Sequence, residues 1–498
     1  MNEKSAISAV RSDGMMGIVH GGSFMRVRAC LVLMVCLMAG AGCAVGPDYQ
    51  PLEMPVPDTW ASPVPETVPA TVSDMVGWWT AFDDPVLVSL VERAMASNLD
   101  LKLAQSRIRQ ARAVRGISVS GLGPVVNAGG SFQRSQTPMG GTLGSQSATS
   151  DGVIANLYQT GFDAAWELDI FGGVRRGVEA ADADLLSAEE DQNSVMVTLA
   201  AETAINYITL RGFQQQILIA RNNLSAQQHN AELTRKKYQA GLSSALDTVN
   251  ADALAASTAA QIPLLESSAH QTIYSLSLLI AREPGALLPE LTLPSPIPAA
   301  PPAVPVGIPS ELLRRRPDIR SAEARIHAAT ARIGVATADL FPKFTLFGSA
   351  GFQGNAIDSW LNWSNRFWSF GPSVNWQIFN TGKTLSNIEL NKALQEQSLI
   401  FYQQTVLTAL QEVDNALIAS IKEREHYQAL STAVAANRKA VFLSTELYRH
   451  GQSDYLNVII AQRSLYTSED ALVQSTRTVS TNLVALYKAL GGGWDGSR

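Results

Sequence analysis

Cysteine is nearly absent from this chain of 498 residues: Cys30, Cys36 and Cys43 are the three it has. The first two lie in an apolar leader, so the mature chain keeps Cys43 alone, and neither an internal disulfide nor a cysteine metal site can form. Charge is scarce too, at 16% of residues with a net of −6, and a chain that is not basic is a poor partner for nucleic acid. No two of the six histidines share a helix at metal-binding spacing, and no Gly-rich phosphate loop is present. Gly116-Ile-Ser-Val-Ser-Gly121 lacks the Gly-x-Ser-x-Gly spacing of a nucleophile elbow and has no strand before it. Neither catalysis nor a bound cofactor or metal is expected.

Arg26 and Arg28 precede a run of apolar and small residues, Ala29 to Gly42. It is shorter than the about 20 residues of a membrane-spanning helix, but it fits an export signal over residues 1–42. Residues 1–24 add nothing to that pattern, which makes Met25 an alternative start. Gly40-Ala41-Gly42 before Cys43 resembles the site at which bacterial lipoproteins are cut and acylated, although Gly40 stands where Leu is usual. The competing reading is an incidental thiol beside an ordinary cleavage site. Ala44, in place of an acidic residue that resembles an inner-membrane retention signal, favours the outer membrane.

The mature chain repeats itself. At an offset of 218, Asp100, Ala104, Arg107, Gly116, Leu122 and Pro124 fall on Asp318, Ala322, Arg325, Gly334, Leu340 and Pro342. At an offset of 210, Trp166, Glu202, Tyr238, Gly241 and Leu246 meet Trp376, Glu412, Tyr448, Gly451 and Leu456, so the first copy has gained eight residues between its Pro and its Trp. Two copies of one large unit are indicated, not a short-period solenoid, whose repeats are roughly 20 to 50 residues. Around them the chain divides into a Pro-rich arm (43–80), a first repeat in the order helix-strand-strand-helix-helix (81–290), a Pro-rich linker (291–309), a second repeat (310–490) and a short tail (491–498). The arm and the linker each carry seven prolines, in 45–69 and 291–310, and read as extended straps.

Segments rich in Ala, Leu, Gln, Ser and Glu at about 174–238, 246–281, 310–340, 384–448 and 454–490 predict long helices. Val406, Leu410, Val413 and Leu417 have the spacing of a coiled-coil seam. A second period appears in four runs. Tyr158, Phe162, Trp166 and Ile170 alternate with Gln159, Asp163 and Glu167; Trp368, Phe370, Val374, Trp376 and Ile378 with Ser369, Ser373 and Gln377; Val126 to Gln133 and Phe344 to Gln353 do the same. Each copy therefore holds a two-stranded hairpin.

These runs have roughly the 9–11 residues of a tilted transmembrane strand, with one apolar and one polar face. A soluble half-buried sheet would alternate likewise. The leader and the tryptophans at both hairpin ends, Trp360, Trp363 and Trp368 at one and Trp166 and Trp376 at the other, favour a membrane with aromatic belts. Four strands cannot close a barrel, and an open edge is not tolerated in lipid. Several chains must share one barrel, and three would give twelve strands; two would give eight, with an interior largely filled by side chains.

Ile308-Pro-Ser-Glu-Leu-Leu-Arg-Arg-Arg-Pro-Asp-Ile-Arg-Ser-Ala-Glu-Ala-Arg325, with Ala338-Asp-Leu-Phe-Pro342, closely resembles outer-membrane efflux channels of the TolC type. Cys43-Ala-Val-Gly-Pro-Asp-Tyr49, Trp78-Trp-Thr-Ala-Phe-Asp-Asp-Pro85 and Ala489-Leu-Gly-Gly-Gly-Trp494 resemble their NodT/OprM lipoprotein branch. The resemblance spans nearly the whole mature chain. It implies an α+β membrane protein, a homotrimer whose 12-stranded outer-membrane β-barrel, four strands per chain, is continuous with a long periplasmic α-helical barrel. It implies a periplasmic adaptor and an inner-membrane pump of the resistance-nodulation-division (RND) class as partners. The implied cargo is small toxic molecules such as antibiotics, dyes, detergents or aromatic acids. Alternatives are a type I protein-secretion channel of the same fold and a structural periplasmic lipoprotein.

Each copy has a tight turn between two long helices, Tyr238-Gln-Ala-Gly241-Leu-Ser-Ser-Ala-Leu-Asp247 and Tyr448-Arg-His-Gly451-Gln-Ser-Asp-Tyr-Leu-Asn457. Glycine there is a C-cap that takes positive φ without a Cβ clash. The resemblance adds a periplasmic tip at which the channel closes and the adaptor docks, through Gly241 and Leu242 in one turn and Gly451 and Gln452 in the other. It places Asp247 at an acidic gate position, with Asn457 its counterpart in the second copy, Leu456 at an apolar constriction, and Tyr448 where a tyrosine ties neighbouring helices. The chain departs from the family in carrying Ile460 where Asp is frequent and Ser453 where Arg is found. His450 is expected as a solvated helix-end cation, and Arg314–Arg316 as a solvated or salt-bridged face.

Overall fold

The computed structural model describes residues 44–52, 54–63, 75–137, 153–301 and 306–495. The leader, Met25 and the expected acylation site Cys43 lie outside the described residues. In chain order the elements are α1 (Pro85–Ser97), α2 (Leu99–Ser120), β1 (Val125–Thr137), β2 (Val153–Leu168), α3 (Gly173–Gln239), α4 (Ala245–Leu279), a single turn α5 (Leu288–Leu291), α6 (Pro309–Arg315), α7 (Pro317–Ala338), β3 (Lys343–Gly354), β4 (Arg366–Asn375), α8 (Lys383–Arg449) and α9 (Tyr455–Ala489). The duplication is visible in their lengths: α3 and α8 each have 67 residues, α4 and α9 each 35. At 1.5 Å per residue the longer pair run about 100 Å each. No described helix is long and apolar enough to cross a membrane.

Two expected elements differ. The helix expected over 310–340 is broken into α6 and α7, with Arg316 extended between them (φ −76°, ψ 121°). The ring of Pro317 disfavours the α region for the residue before it, and a proline then opens a helix at a position needing no N–H donor. β4 ends at Asn375, short of the alternation read as far as Ile378. Trp376, just past its end, sends its indole N–H to the Leu340 carbonyl at 3.0 Å. Trp166 makes the same bond to Leu122 at 2.9 Å, so the base of each hairpin is pinned alike although the hairpins differ in length.

The chain divides into two compact units. The first, Ser118–Gly177 and Ile333–Ile388 with residues 44–47, carries one antiparallel sheet in the order β1-β2-β3-β4. The register brings Ala128 opposite Phe162, Phe162 opposite Ala350 and Ala350 opposite Trp368. Because side chains alternate, this places Val126, Phe132, Phe162, Trp166, Leu346, Phe352, Trp368, Phe370 and Val374 on one face. The other face collects Asn127, Gln159, Asp163, Thr345, Ser349, Ser369 and Ser373, and there Asn127 donates to Asp163 (2.9 Å) and the Ser349 and Ser369 hydroxyls pair (2.8 Å). The apolar face is bare: Phe162 is 65% exposed, Trp368 70% and Phe370 76%. Among the described residues β1 and β4 are edges, each with one side unpaired.

The second unit, Asp48–Ile117, Val178–Arg332 and Glu389–Arg498, is helical. Its centre buries Trp78, Leu87, Leu90, Tyr207, Ile208, Leu276 and Leu483 almost completely, with Trp78 stacked on Tyr487. Alanines 180, 181, 183, 200, 201 and 204 line the buried side of α3, where a small side chain lets a neighbouring helix approach closely. Of the expected seam, Val406, Val413 and Leu417 are buried and Leu410 packs beside them. The arm lies extended on this unit: Tyr49 donates to Glu323 (2.8 Å) and stacks on His327, and the Trp60 indole donates to the Gly307 carbonyl (3.0 Å). Arg316, last of the arginine run, is salt-bridged as expected but is largely buried, held at 2.7 Å by Asp318, 2.7 Å by Glu412 and 2.8 Å by the Ala489 carbonyl.

Gly161 and Gly351 face each other across β2 and β3. A Cβ on Gly161 would lie 2.5 Å from the Ala350 carbonyl oxygen, and one on Gly351 would strike the Thr160 carbonyl oxygen. Such close approach of strand backbones is what glycine in a strand permits. Gly351→Val should cost about 1–3 kcal/mol by forcing the strands apart, read as a lower urea midpoint of the folded protein in detergent micelles. An unchanged midpoint would show that the close approach is not required.

Candidate functional site

The two helix-turn-helix tips end α3 and α8 in the same way. Gly241 (φ 72°) and Gly451 (φ 73°) sit in the left-handed region. The Leu242 N–H reaches the Lys237 carbonyl at 2.8 Å and the Gly241 N–H that of Tyr238 at 2.9 Å; Gln452 to Leu447 (2.8 Å) and Gly451 to Tyr448 (3.1 Å) repeat the pattern. These paired bonds are a Schellman motif, which satisfies carbonyls that the last helical turn leaves over. Leu242 is 76% exposed, and Gly241, Gly451 and Gln452 are exposed beside it.

Past the turns the copies diverge. α4 opens with a capping box: the Ser244 hydroxyl accepts from the Asp247 N–H (3.2 Å), while the Asp247 carboxylate accepts from the Ser244 N–H (3.2 Å) and from the Ser243 hydroxyl (2.8 Å). Asp247 thus holds its own helix start, and a carboxylate there also favours the positive end of the helix dipole. Its counterpart Asn457 is exposed and donates instead to the Ser453 hydroxyl at 2.9 Å. α9 has Asp454 at its N-cap without a side-chain cap bond.

Tyr448 and Tyr455 form the buried centre of the tip, 5.0 Å between ring centroids, packed with Ala231, Ala251, Val458 and Ile459. One residue from α3, one from α4, one from α8 and three from α9 meet here. Tyr448 sets its hydroxyl 3.4 Å from that of Ser243, which links α8 through Ser243 to Asp247. Burial pushes the Tyr455 hydroxyl up to about 12. Arg235 and Asp252 pair at 2.9 Å and clip α3 to α4.

Leu456 lies apart from that cluster. It is 59% exposed and lines a groove between α4 and α9 with Asn250, Leu254, Ile459 and Arg463. Ile460, Leu246 and Val249 are bare as well, at 53%, 66% and 64% exposure. The structure therefore joins Tyr448 to Asp247 through Ser243 and leaves Leu456 and Asn457 facing outward on α9. His450 is 73% exposed with Glu446 at 3.9 Å. Among the described residues no group of three His, Cys, Asp or Glu could hold a metal. Ser243, Ser244 and Lys237 are members of the site that the motif reading passed over; the Ser-x-x-Asp spacing of 244 and 247 was the available signal for the first turn. Ser244→Ala should cost the start of α4 about 1 kcal/mol, seen as amide exchange at Asp247 faster by about fivefold. Unchanged exchange would show that the capping box does not hold this turn.

Comparison with known proteins agrees with this architecture. The family model for the outer membrane efflux protein matches residues 90–282 and again 308–492. Nodulation protein T of Rhizobium leguminosarum bv. trifolii is 33% identical, over 91% of this chain and 95% of its own. The pyoverdine export outer membrane protein OpmQ of Pseudomonas aeruginosa is 33% identical, over 95% and 98%. The solved outer-membrane channel OprN superposes with a TM-score of 0.83 at 38% identity, covering 91% of this chain and all of that one. The chain belongs to the outer membrane efflux protein family and serves as an efflux channel of the outer membrane.

Proposed function

We propose that three copies of this chain assemble into one outer-membrane pore, each contributing the four strands β1–β4 to a twelve-stranded barrel. The observation that carries this reading is a sheet with one continuous apolar face and two unpaired edges. In lipid those edge N–H and C=O groups must find partners, and only closure supplies them. Large bare apolar side chains along the helices, among them Leu385 (62% exposed), Leu407 (59%) and Phe442 (65%) on α8 and Leu264 (64%) on α4, support neighbouring copies along the helices as well. Exposed apolar surface on this scale marks an interface.

The chain is a conduit, not an enzyme. A periplasmic adaptor docks at Gly241, Leu242, Gly451 and Gln452, and an RND-type pump in the inner membrane delivers cargo. OpmQ is named for export of pyoverdine, which supports an efflux cargo over protein secretion. An acyl group on Cys43 anchors the start of the chain in the outer membrane; no other cofactor is required.

The gate is the helical tip. Leu456, bare in the single chain, packs against its counterparts from the other copies, while the Tyr448–Ser243–Asp247 bonds hold α8 against the first turn. Opening is an outward tilt of the helix pairs when the adaptor binds. Asp247→Ala combined with Leu456→Ala should raise single-channel conductance in planar bilayers. Unchanged conductance would show that these residues do not close the pore.

A further inference from the structure

We propose that Lys237 is the latch of this tip, a positioning residue that fastens the end of α8 onto α3. The inference rests on the gate reading above and adds a residue to it. The Lys237 ammonium lies 4.2 Å from the Tyr448 ring centroid, 2.5 Å from the Tyr448 carbonyl oxygen and 3.3 Å from that of Arg449. Each contact has its own physical reason. The Schellman bonds of this turn use the carbonyls of Leu447 and Tyr448, and the Lys237 ammonium also takes up the Arg449 carbonyl. A cation there meets the negative end of the helix dipole. Over a tyrosine face it also gains the attraction of the ring quadrupole, which is stronger where water is excluded, and Tyr448 is only 6% exposed.

The duplication provides an internal comparison. At the offset of 210, Lys237 falls on Leu447, so the reverse bond, from α8 to the end of α3, cannot be made. Tyr238, the counterpart of Tyr448, is 48% exposed. The same Tyr-x-x-Gly ending thus has one tyrosine buried under a cation and one turned outward. Capping needs alone would have treated both ends alike; the asymmetry marks the α3–α8 joint as the fastened one. Tyr448 in turn reaches Ser243 and, through it, Asp247. Lys237 thereby sets the position of the tyrosine on which the gate contact depends.

The test is single-channel recording of the full-length protein in planar bilayers. Lys237→Met keeps length and packing but removes the cation, and should raise the open fraction about tenfold, which is ~1.4 kcal/mol. Lys237→Arg keeps a cation over the ring and should stay within about twofold of the parent. Lys237→Gln serves as a second neutral variant should the Met form fail to assemble. An Arg variant as leaky as the Met variant would assign the effect to packing and overturn the latch. If the neutral variants are silent while Asp247→Ala with Leu456→Ala opens the pore, the latch is wrong and the gate stands. If both sets are silent, both readings fall.

Discussion

The rest of the structure depends on the unpaired edges of the sheet. Every strand in lipid must bond its backbone on both sides, and β1 and β4 are each bonded on one. The physical consequence reaches down the sequence. The register must keep Phe162, Trp368 and Phe370 on one face, because a slip of one residue would turn them to the other side. Gly161 and Gly351 let β2 and β3 come close at one place. The Trp166 and Trp376 indoles tie each hairpin base to the segment entering it, holding the register where the strands end. A hairpin duplicated once supplies four strands, too few to close, so the number of copies is set by the barrel and not by the chain.

The duplication also separates what is architectural from what is particular. Helices of equal length and identical glycine endings are common to both copies, because the unit has to be repeated for the strands and helices to keep pace with each other. The copies part company at the tip: Lys237 against Leu447, Ser244 against Asp454, Asp247 against Asn457. The two tyrosines at the centre, Tyr448 and Tyr455, both come from the second copy and pack on Ala231 and Ala251 of the first. The differences make one joint of the tip polar and bonded and leave the apolar side chains Leu456 and Ile460 of α9 bare.

Much of this was legible in the sequence because it is written in periods. The alternation in β1–β4 and the Gly-poor helical runs are local signals, and the glycine endings of α3 and α8 follow from one residue each. What could not be read depends on contacts between distant residues. Arg316 looked like part of a charged run, but its partners Glu412 and Ala489 are far along the chain. Pro317 signals the break before it, although the composition on both sides is helical. A gate role for Asp247 is implied only by resemblance, whereas its capping box with Ser244 follows from spacing alone. Lys237 carries no motif; its meaning comes from a tyrosine 211 residues away.

The central claim is that copies of the chain must pool their strands to seal. Its most direct test is the mass of the detergent-extracted protein by native mass spectrometry, with the micelle removed in flight. The account predicts a particle of three chains that needs a micelle to remain in solution. A single chain, soluble in water and without affinity for detergent, would contradict it.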